Sequence, residues 1–384
     1  MNRLTTSQGA FELARFPEHP SDPFRAWDSA DEYLLRQLTD SETGPVDLSG
    51  TVAVVGDRWG ALATALAAHR PVQISDSYLA RRATLANLER NGLDPDAVTL
   101  LSSRDTPPDR IDVLLVRVPK SLAFLEDQLH RIAPALHAGT VVIGTGMVKE
   151  IHTSTLKLFE RIVGPTRTSL AVRKARLIFA TPDLELPRTP SPWPYRYELP
   201  ADVGPVSGRT AVNHAGIFCA ERLDVGTRFF LKHLPTRGGS VKVADLGCGN
   251  GVLGLSAALA DPDAHVTFVD ESYGAVASAE ETFRLGAPDG AKADFLVGDG
   301  LADLAPGSLD LVLNNPPFHS HMATTDATAR TMFVSARTAL RQGGELWVVG
   351  NRHLSYHTHL RRIFGNCTTV AGDPKFVVLR AVKR

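Results

Sequence analysis

Val243-Ala-Asp-Leu-Gly-Cys-Gly-Asn-Gly251 is the stretch from which the fold of this chain can be read. An apolar run carrying one acid leads into glycines at 247, 249 and 251. The pattern Val252-Leu-Gly-Leu-Ser-Ala-Ala-Leu259 follows at once and reads as a helix. A strand, a tight turn and a helix N-terminus in this order make a place where a ligand lies against bare backbone. Outward from it, β and α patterns alternate. His265–Asp270 reads as a second strand and Ser272–Leu285 as a helix. Ala293–Asp299 gives a third strand, and the continuous apolar run Leu309–Asn314 a buried fourth. Thr328–Leu340 is helical, Gly343–Gly350 is the fifth strand, and Cys367–Val370 and Phe376–Val382 flank Gly372-Asp-Pro as a closing hairpin. The expectation is a doubly wound α/β sheet that binds its ligand at the carboxyl ends of the strands.

With 384 residues, two domains are expected. The boundary falls at Leu186-Pro-Arg-Thr-Pro-Ser-Pro-Trp-Pro-Tyr195, where four prolines in eight positions exclude a helix or a central strand. This divides the chain into a first domain over 1–186, a linker over 187–200 and a second domain over 201–384. Hydrophobic residues make up 43% and charged residues 22%, as in a globular protein. Apolar runs are strand-length, so no membrane helix is expected, and the N-terminal residues lack the apolar core of a secretion signal. Cys219, Cys248 and Cys367 lie far apart, which argues against disulfides or a zinc site and fits a reducing cytoplasm. Residues 1–200 hold 23 Lys+Arg against 24 Asp+Glu, so no basic domain advertises nucleic acid.

The first half reads as a worn copy of the second. Val52-Ala-Val-Val-Gly-Asp-Arg-Trp-Gly-Ala-Leu62 lies over Val243–Leu253, Ile74-Ser-Asp-Ser-Tyr78 over Phe268–Tyr273, and Asp112–Lys120 over Asp310–Phe318. Order and spacing agree while the chemistry does not. The middle glycine has become Arg58, the leading acid Val54, and Asn-Pro-Pro-Phe has become Arg117-Val-Pro-Lys120.

Gly-x-Gly-x-Gly alone is shared with dinucleotide enzymes. Three acids favour S-adenosylmethionine. Asp245 stands two residues before Gly247, where it can reach the ammonium of a bound amino acid. Asp270 ends the second strand, where a carboxylate can take two ribose hydroxyls. Asp299, in Gly298-Asp-Gly300, ends the third strand, placed to accept from an adenine amine. Gly247, Cys248 and Gly249 would form the turn itself. Each acid alone could equally cap a helix or sit solvated in a loop.

The second signal is Asn315-Pro-Pro-Phe318, after the fourth strand. An exocyclic amine on a base is a poor nucleophile because its lone pair is delocalised into the ring. The Asn315 oxygen and the Pro316 carbonyl can hold its hydrogens and aim the lone pair at a methyl group. Pro316 and Pro317 stiffen the backbone that presents them. Phe318 offers a face for an extruded base, a stack worth roughly 1–3 kcal/mol. His319 and His321 have the spacing of a metal pair but lack an evident third ligand, so an exposed loop or a phosphate contact is the reading. Asn351-Arg-His-Leu-Ser-Tyr356 and Arg361-Arg362 fit RNA contact or a solvated polar edge equally.

Together the motifs resemble class I S-adenosylmethionine-dependent methyltransferases with an Asn-Pro-Pro-aromatic site. The chain is most similar to the bacterial ribosomal RNA guanine-N2 methyltransferases, of the large-subunit (23S) type. The likeness runs through Arg15-Phe-Pro17, Ala26–Leu35, Val118–Leu122, Ile151–Leu156, Gly164-Pro-Thr166, His214-Ala-Gly-Ile-Phe218, Leu223-Asp-Val-Gly226, both motifs, Asn351–Leu354 and Ile363–Thr369. The resemblance implies two tandem Rossmann-like methyltransferase domains, the first degenerate and RNA-binding. The second would bind S-adenosylmethionine through Asp245, Gly247, Cys248, Gly249, Asp270 and Asp299, and methylate a guanine of 23S rRNA through Asn315–Phe318. A cytoplasmic monomer without a metal or a membrane partner is expected. The same chemistry on 16S rRNA, adenine N6 or a protein glutamine amide is the alternative. A non-catalytic RNA-binding assembly factor is a third reading, which the intact second set of motifs disfavours.

Overall fold

The structure is a computed structural model. It describes residues 2–18, 23–41, 44–236, 238–317 and 322–384, with the backbone alone at 322–326. The chain forms two compact units, Met1–Pro192 and Trp193–Arg384.

The central strands of the second unit are β8 (Lys242–Leu246), β9 (His265–Asp270), β10 (Lys292–Val297), β11 (Leu309–Asn314) and β12 (Leu340–Asn351). With β13 (Thr368–Gly372) and β14 (Phe376–Val382) they make one seven-stranded sheet in the order β10-β9-β8-β11-β12-β14-β13. The first five strands are mutually parallel, and β14 runs antiparallel to both β12 and β13. Val243, Leu311 and Leu313 point into one buried cluster, while Ala244, Leu246 and Val312 point into another. A strand buried on both faces leaves no polar alternation, which is why β11 reads as a continuous apolar run.

The first unit repeats this order. Its strands are β1 (Val52–Val55), β2 (Val72–Ser75), β3 (Thr99–Ser102), β4 (Ile111–Arg117), β5 (Leu136–Met147), β6 (Thr166–Thr168) and β7 (Ala175–Ala180). They lie β3-β2-β1-β4-β5-β7-β6. Register makes the copies superposable residue by residue. Val55 faces Ile74 and Val116, as Leu246 faces Val269 and Asn314. The same brace closes the amino edge in both. Asp112 Oδ2 accepts from Thr51 N–H at 2.8 Å, and Asp310 Oδ2 from Lys242 N–H at 2.8 Å.

The proline-rich stretch expected as a linker contains structure. Tyr195–Glu198 is a strand paired antiparallel with Thr210–Asn213 inside the second unit. The alternating Tyr-Arg-Tyr-Glu supports it once the prolines end. This ribbon lies on helix α8 (Tyr273–Gly286): Val212 N–H donates to Thr282 Oγ1 and His214 N–H to Ser278 Oγ, each at 2.9 Å. Among the described residues no helix is long and apolar enough to cross a membrane. The three cysteines are free.

Candidate methyl-transfer site

The glycine turn joins β8 to helix α7 (Val252–Ala260). Gly247, Gly249 and Gly251 have φ of 68°, 53° and 77°, a region where a side chain is strained. A Cβ at Gly251 would stand 2.8 Å from Ala279, so this glycine lets α7 approach α8. A Cβ at Gly249 would meet nothing within 4 Å, so the middle glycine opens onto space. The N–H groups of Gly247 and Cys248 donate to the Val269 carbonyl, at 2.8 and 3.0 Å. Gly249 N–H donates to Asp270 Oδ2 at 3.1 Å. With these donors satisfied and an acid behind them, the turn is a poor phosphate cradle and a better seat for a cationic amino-acid group.

That acid is Asp245, which is 1% exposed. Its Oδ2 accepts from Gly254 N–H at 2.8 Å, satisfying a donor of the first turn of α7. Its Oδ1 is buried without a hydrogen-bond partner. Burial pushes its pKa up to about 8 despite the Gly254 hydrogen bond, and the Asp270 charge adds to the rise. The carboxyl is therefore partly a helix cap and partly an acceptor left open. Asp270 closes β9 at the turn; besides Gly249, it accepts from Ser272 N–H at 3.0 Å. Asp299 lies two residues beyond the end of β10, in the turn Gly298-Asp299-Gly300. Gly298 N–H donates to the Asp270 carbonyl at 3.0 Å, which keeps this turn beside the end of β9. Cys248 supplies backbone only: its side chain sits in the core, where burial drives the thiol pKa well above its usual value.

Asn315 follows β11 directly. Its Nδ2 donates to Thr227 Oγ1 at 2.9 Å and to Asp224 Oδ2 at 3.3 Å. Its Oδ1 is buried and has no hydrogen-bond partner. Asp224 is the N-cap of helix α6 (Val225–Leu231), accepting from Thr227 N–H at 2.8 Å. Pro316 is buried and Pro317 exposed. Phe318, His319 and His321 lie outside the described residues. Asn314 turns inward, donating to the Leu246 carbonyl at 2.7 Å. The structure thus brings Asp245, the glycine turn, Asp270 and Asn315 to one sheet edge. Sequence reading missed Asp224 and Thr227, and also Asn213, which accepts from Asn250 of the turn at 3.0 Å. The only signal was that Asp224 lies in Leu223–Gly226, a segment resembling the family's, with Thr227 directly after it.

Residues 1–184 match the family model described as the RLMG N-terminal domain, and residues 208–380 that described as the methyltransferase small domain. A ribosomal RNA large subunit methyltransferase G of Streptomyces griseus is 90% identical over 384 residues, 100% of each chain. One from Streptomyces avermitilis is 69% identical across 99% of each chain, and one from Pseudomonas aeruginosa 48% identical across 100% of each. The chain belongs to the ribosomal RNA large subunit methyltransferase G family. A T. thermophilus 16S rRNA N2 methyltransferase, solved with AdoMet and guanosine, shares the fold: TM-score 0.74, 22% identity, 100% of this chain and 97% of that chain.

The methyltransferase G family uses S-adenosylmethionine, and the residues here fit it. The unpartnered Asp245 Oδ1 becomes an acceptor for an ammonium once a bound cation draws the proton off this carboxyl, and the space beside Gly249 admits a ligand where any other residue would place a Cβ.

Proposed function

We propose that this protein transfers a methyl group from S-adenosylmethionine to the exocyclic N2 amine of a guanine in 23S rRNA, at the carboxyl edge of its second unit. The observation that carries the reading is Asn315: its amide nitrogen is engaged on Thr227 and Asp224 while its buried oxygen has no donor. A buried acceptor without a partner costs about 1–3 kcal/mol, and a substrate N–H relieves it. The names of the family's members supply the RNA class.

The cofactor, when bound, supplies an electrophilic methyl on a sulfonium. Asp245, Gly247, Cys248, Gly249, Asp270 and Asp299 are the residues proposed to hold it, Cys248 through its backbone. Asn315 Oδ1 and the Pro316 carbonyl would accept hydrogen bonds from the two amine hydrogens and fix the lone pair in line. As N–CH3 forms and S–CH3 breaks, S-adenosylhomocysteine leaves and the methylated amine gives one proton to solvent, so positioning replaces a strong base. Phe318 is proposed to stack on the base. The first unit, within 1–186, is proposed to orient RNA. Its Arg15 guanidinium lies 4.9 Å from the Phe24 ring and 5.3 Å from Trp59, and Arg82 lies 5.4 Å from Phe16 and 5.9 Å from Tyr78. Guanidinium and aromatic planes suit unpaired bases, and the cations suit phosphate.

Labelled-methyl transfer to naked 23S rRNA, naked 16S rRNA and assembled subunits, with the modified nucleoside identified, tests this. N2-methylguanosine in 23S rRNA is expected. Methyl on adenine or on protein would reject the substrate, and methylated guanine in 16S rRNA alone would move it to the other subunit. Asn315→Ala is expected to bind S-adenosylhomocysteine like the parent and to lose transfer.

A further inference from the structure

We infer that Thr227 and Asp224 are positioning residues that fix which end of the Asn315 amide meets the substrate. The inference rests on Asn315 accepting from the target amine. An amide can rotate by half a turn, exchanging an acceptor for a donor, with almost no change in shape. Asn315 is useful only in one of these two states. With Nδ2 toward the substrate it would oppose the amine's own hydrogens, and the lone pair would lose its guide.

The surroundings of Nδ2 choose the state. Thr227 Oγ1 lies 3.2 Å from Asp224 Oδ2 and donates its hydroxyl proton there, leaving its lone pairs to face Asn315. The second neighbour, Asp224 Oδ2, is a carboxylate oxygen and accepts. Two acceptors therefore converge on one amide end. The flipped amide would set its oxygen against a carboxylate and a hydroxyl whose proton is already engaged. Asp224 is itself anchored by the Thr227 N–H, so the relay is tied to the start of α6 and not to a mobile side chain alone. The order is Asp224 to Thr227 to Asn315, with the free Oδ1 as its output. A site built this way accepts a donor and turns away a group that can only accept.

The test is Thr227→Val, which keeps the N–H that caps against Asp224 and removes only the oxygen facing Asn315. Thr227→Ser restores that oxygen. Methyl transfer is measured on the RNA form that the parent methylates fastest, alongside calorimetric binding of S-adenosylhomocysteine and a thermal melt. We expect kcat to fall by about tenfold to a hundredfold in the valine variant, as for a misplaced catalytic group. KM for RNA, product affinity and melting temperature should stay near the parent's, and serine should recover most of the rate. If valine turns over like the parent while Asn315→Ala is dead, the positioning role is overturned and the site reading stands. If Asn315→Ala is also fully active, the site reading itself falls. A loss of rate that tracks weaker binding or early melting, or one that serine does not recover, assigns Thr227 to structure and overturns the inference.

Discussion

The two units share a sheet order and an amino-edge brace, yet differ at almost every polar position of the carboxyl edge. The paired registers set Val54 where the second unit has Asp245, and Ser75 where it has Asp270. They also set Arg104 in place of Asp299 and Arg117 in place of Asn315. The outer glycines survive: Gly56 and Gly60 keep φ of 75° and 74°, and a Cβ at Gly60 would lie 2.6 Å from the Thr84 backbone. The middle glycine, whose counterpart opens onto space, is Arg58. Even the helix cap has moved. Asp57, in the turn, takes the N–H groups of Ala61 and Ala63 at 3.1 and 2.9 Å, and Ala63 stands where Asp245 serves Gly254. Residues that hold backbone to backbone match between the units, and the residues proposed to hold cofactor and substrate do not.

The first unit's edge carries an ion cluster around a buried arginine instead. Arg117 is 1% exposed and reaches Asp28 at 2.6 Å, Asp31 at 3.3 Å and Glu150 at 3.1 Å, while Arg58 reaches Glu150 at 3.1 Å. Burial raises the Asp31 pKa against the pull of Arg117. By contrast, Glu150 is held below its ordinary value by the Met147 N–H and by both arginines, which outweigh its own burial.

The largest test of this contrast is Arg117→Ala. It takes the guanidinium from Asp28 and Asp31 and leaves Glu150 with Arg58 alone, and should destabilise the first unit by about 3–5 kcal/mol, seen as an early calorimetric transition. Binding of S-adenosylhomocysteine should be unchanged; a parallel loss of affinity would break the division of labour. Next, Asp270→Ala should weaken that binding by about tenfold to a hundredfold, as loss of charge-assisted hydrogen bonds does. Ser75→Asp, the reciprocal change in the first unit, should create no second site, so calorimetry should still count one per chain. A stoichiometry of two would show that the first edge is not closed.

Burial raises the pKa of both acids that cap the turn helices, Asp57 and Asp245, and the second can be tested by pH. Asp245 has a folded pKa of about 8 against an ordinary 3.8, so the folded state keeps a proton that the unfolded chain releases. Between those values stability must fall as pH rises, by at most about 1.4 kcal/mol per pH unit. Asp245→Asn keeps the cap and removes the titration. Its advantage over the parent in urea melts should therefore grow from pH 5 to pH 8, and a constant difference would sink the burial argument. Smallest of all, Arg82→Ala should lower RNA affinity modestly and reduce the slope of log affinity against log salt by about one. An unchanged slope would remove Arg82 from the RNA surface.

The sheet was legible because its strands are buried on both faces: Leu309–Asn314 was placed to the residue by apolarity alone. The third strand was read two residues long, because Gly298-Asp299 continues its pattern while the backbone has already turned. Helix α9 (Met322–Ala339) begins before Thr328, where Ala-Thr-Thr-Asp carries no apolar period. Asp270 and Asn315 were legible because each ends a recognisable strand. Asp224 and Thr227 were not, since they meet Asn315 across 91 and 88 residues and belong to no strand. Nor were Asp28 and Glu150, 89 and 33 residues from the arginine they neutralise. Short-range patterns encode elements, whereas partners across the edge exist only once the sheet has formed.

The Arg117 cluster has a consequence for how the two halves respond to supply. A side chain is a tethered occupant that cannot be diluted, competed away or exhausted. The first unit therefore holds the same stability whatever the level of methyl donor. The second gains stability by mass action, about 2.7 kcal/mol when donor stands at a hundred times its dissociation constant. In a cell short of methyl donor the second half therefore loses this increment, while the first keeps the stability its own side chains supply.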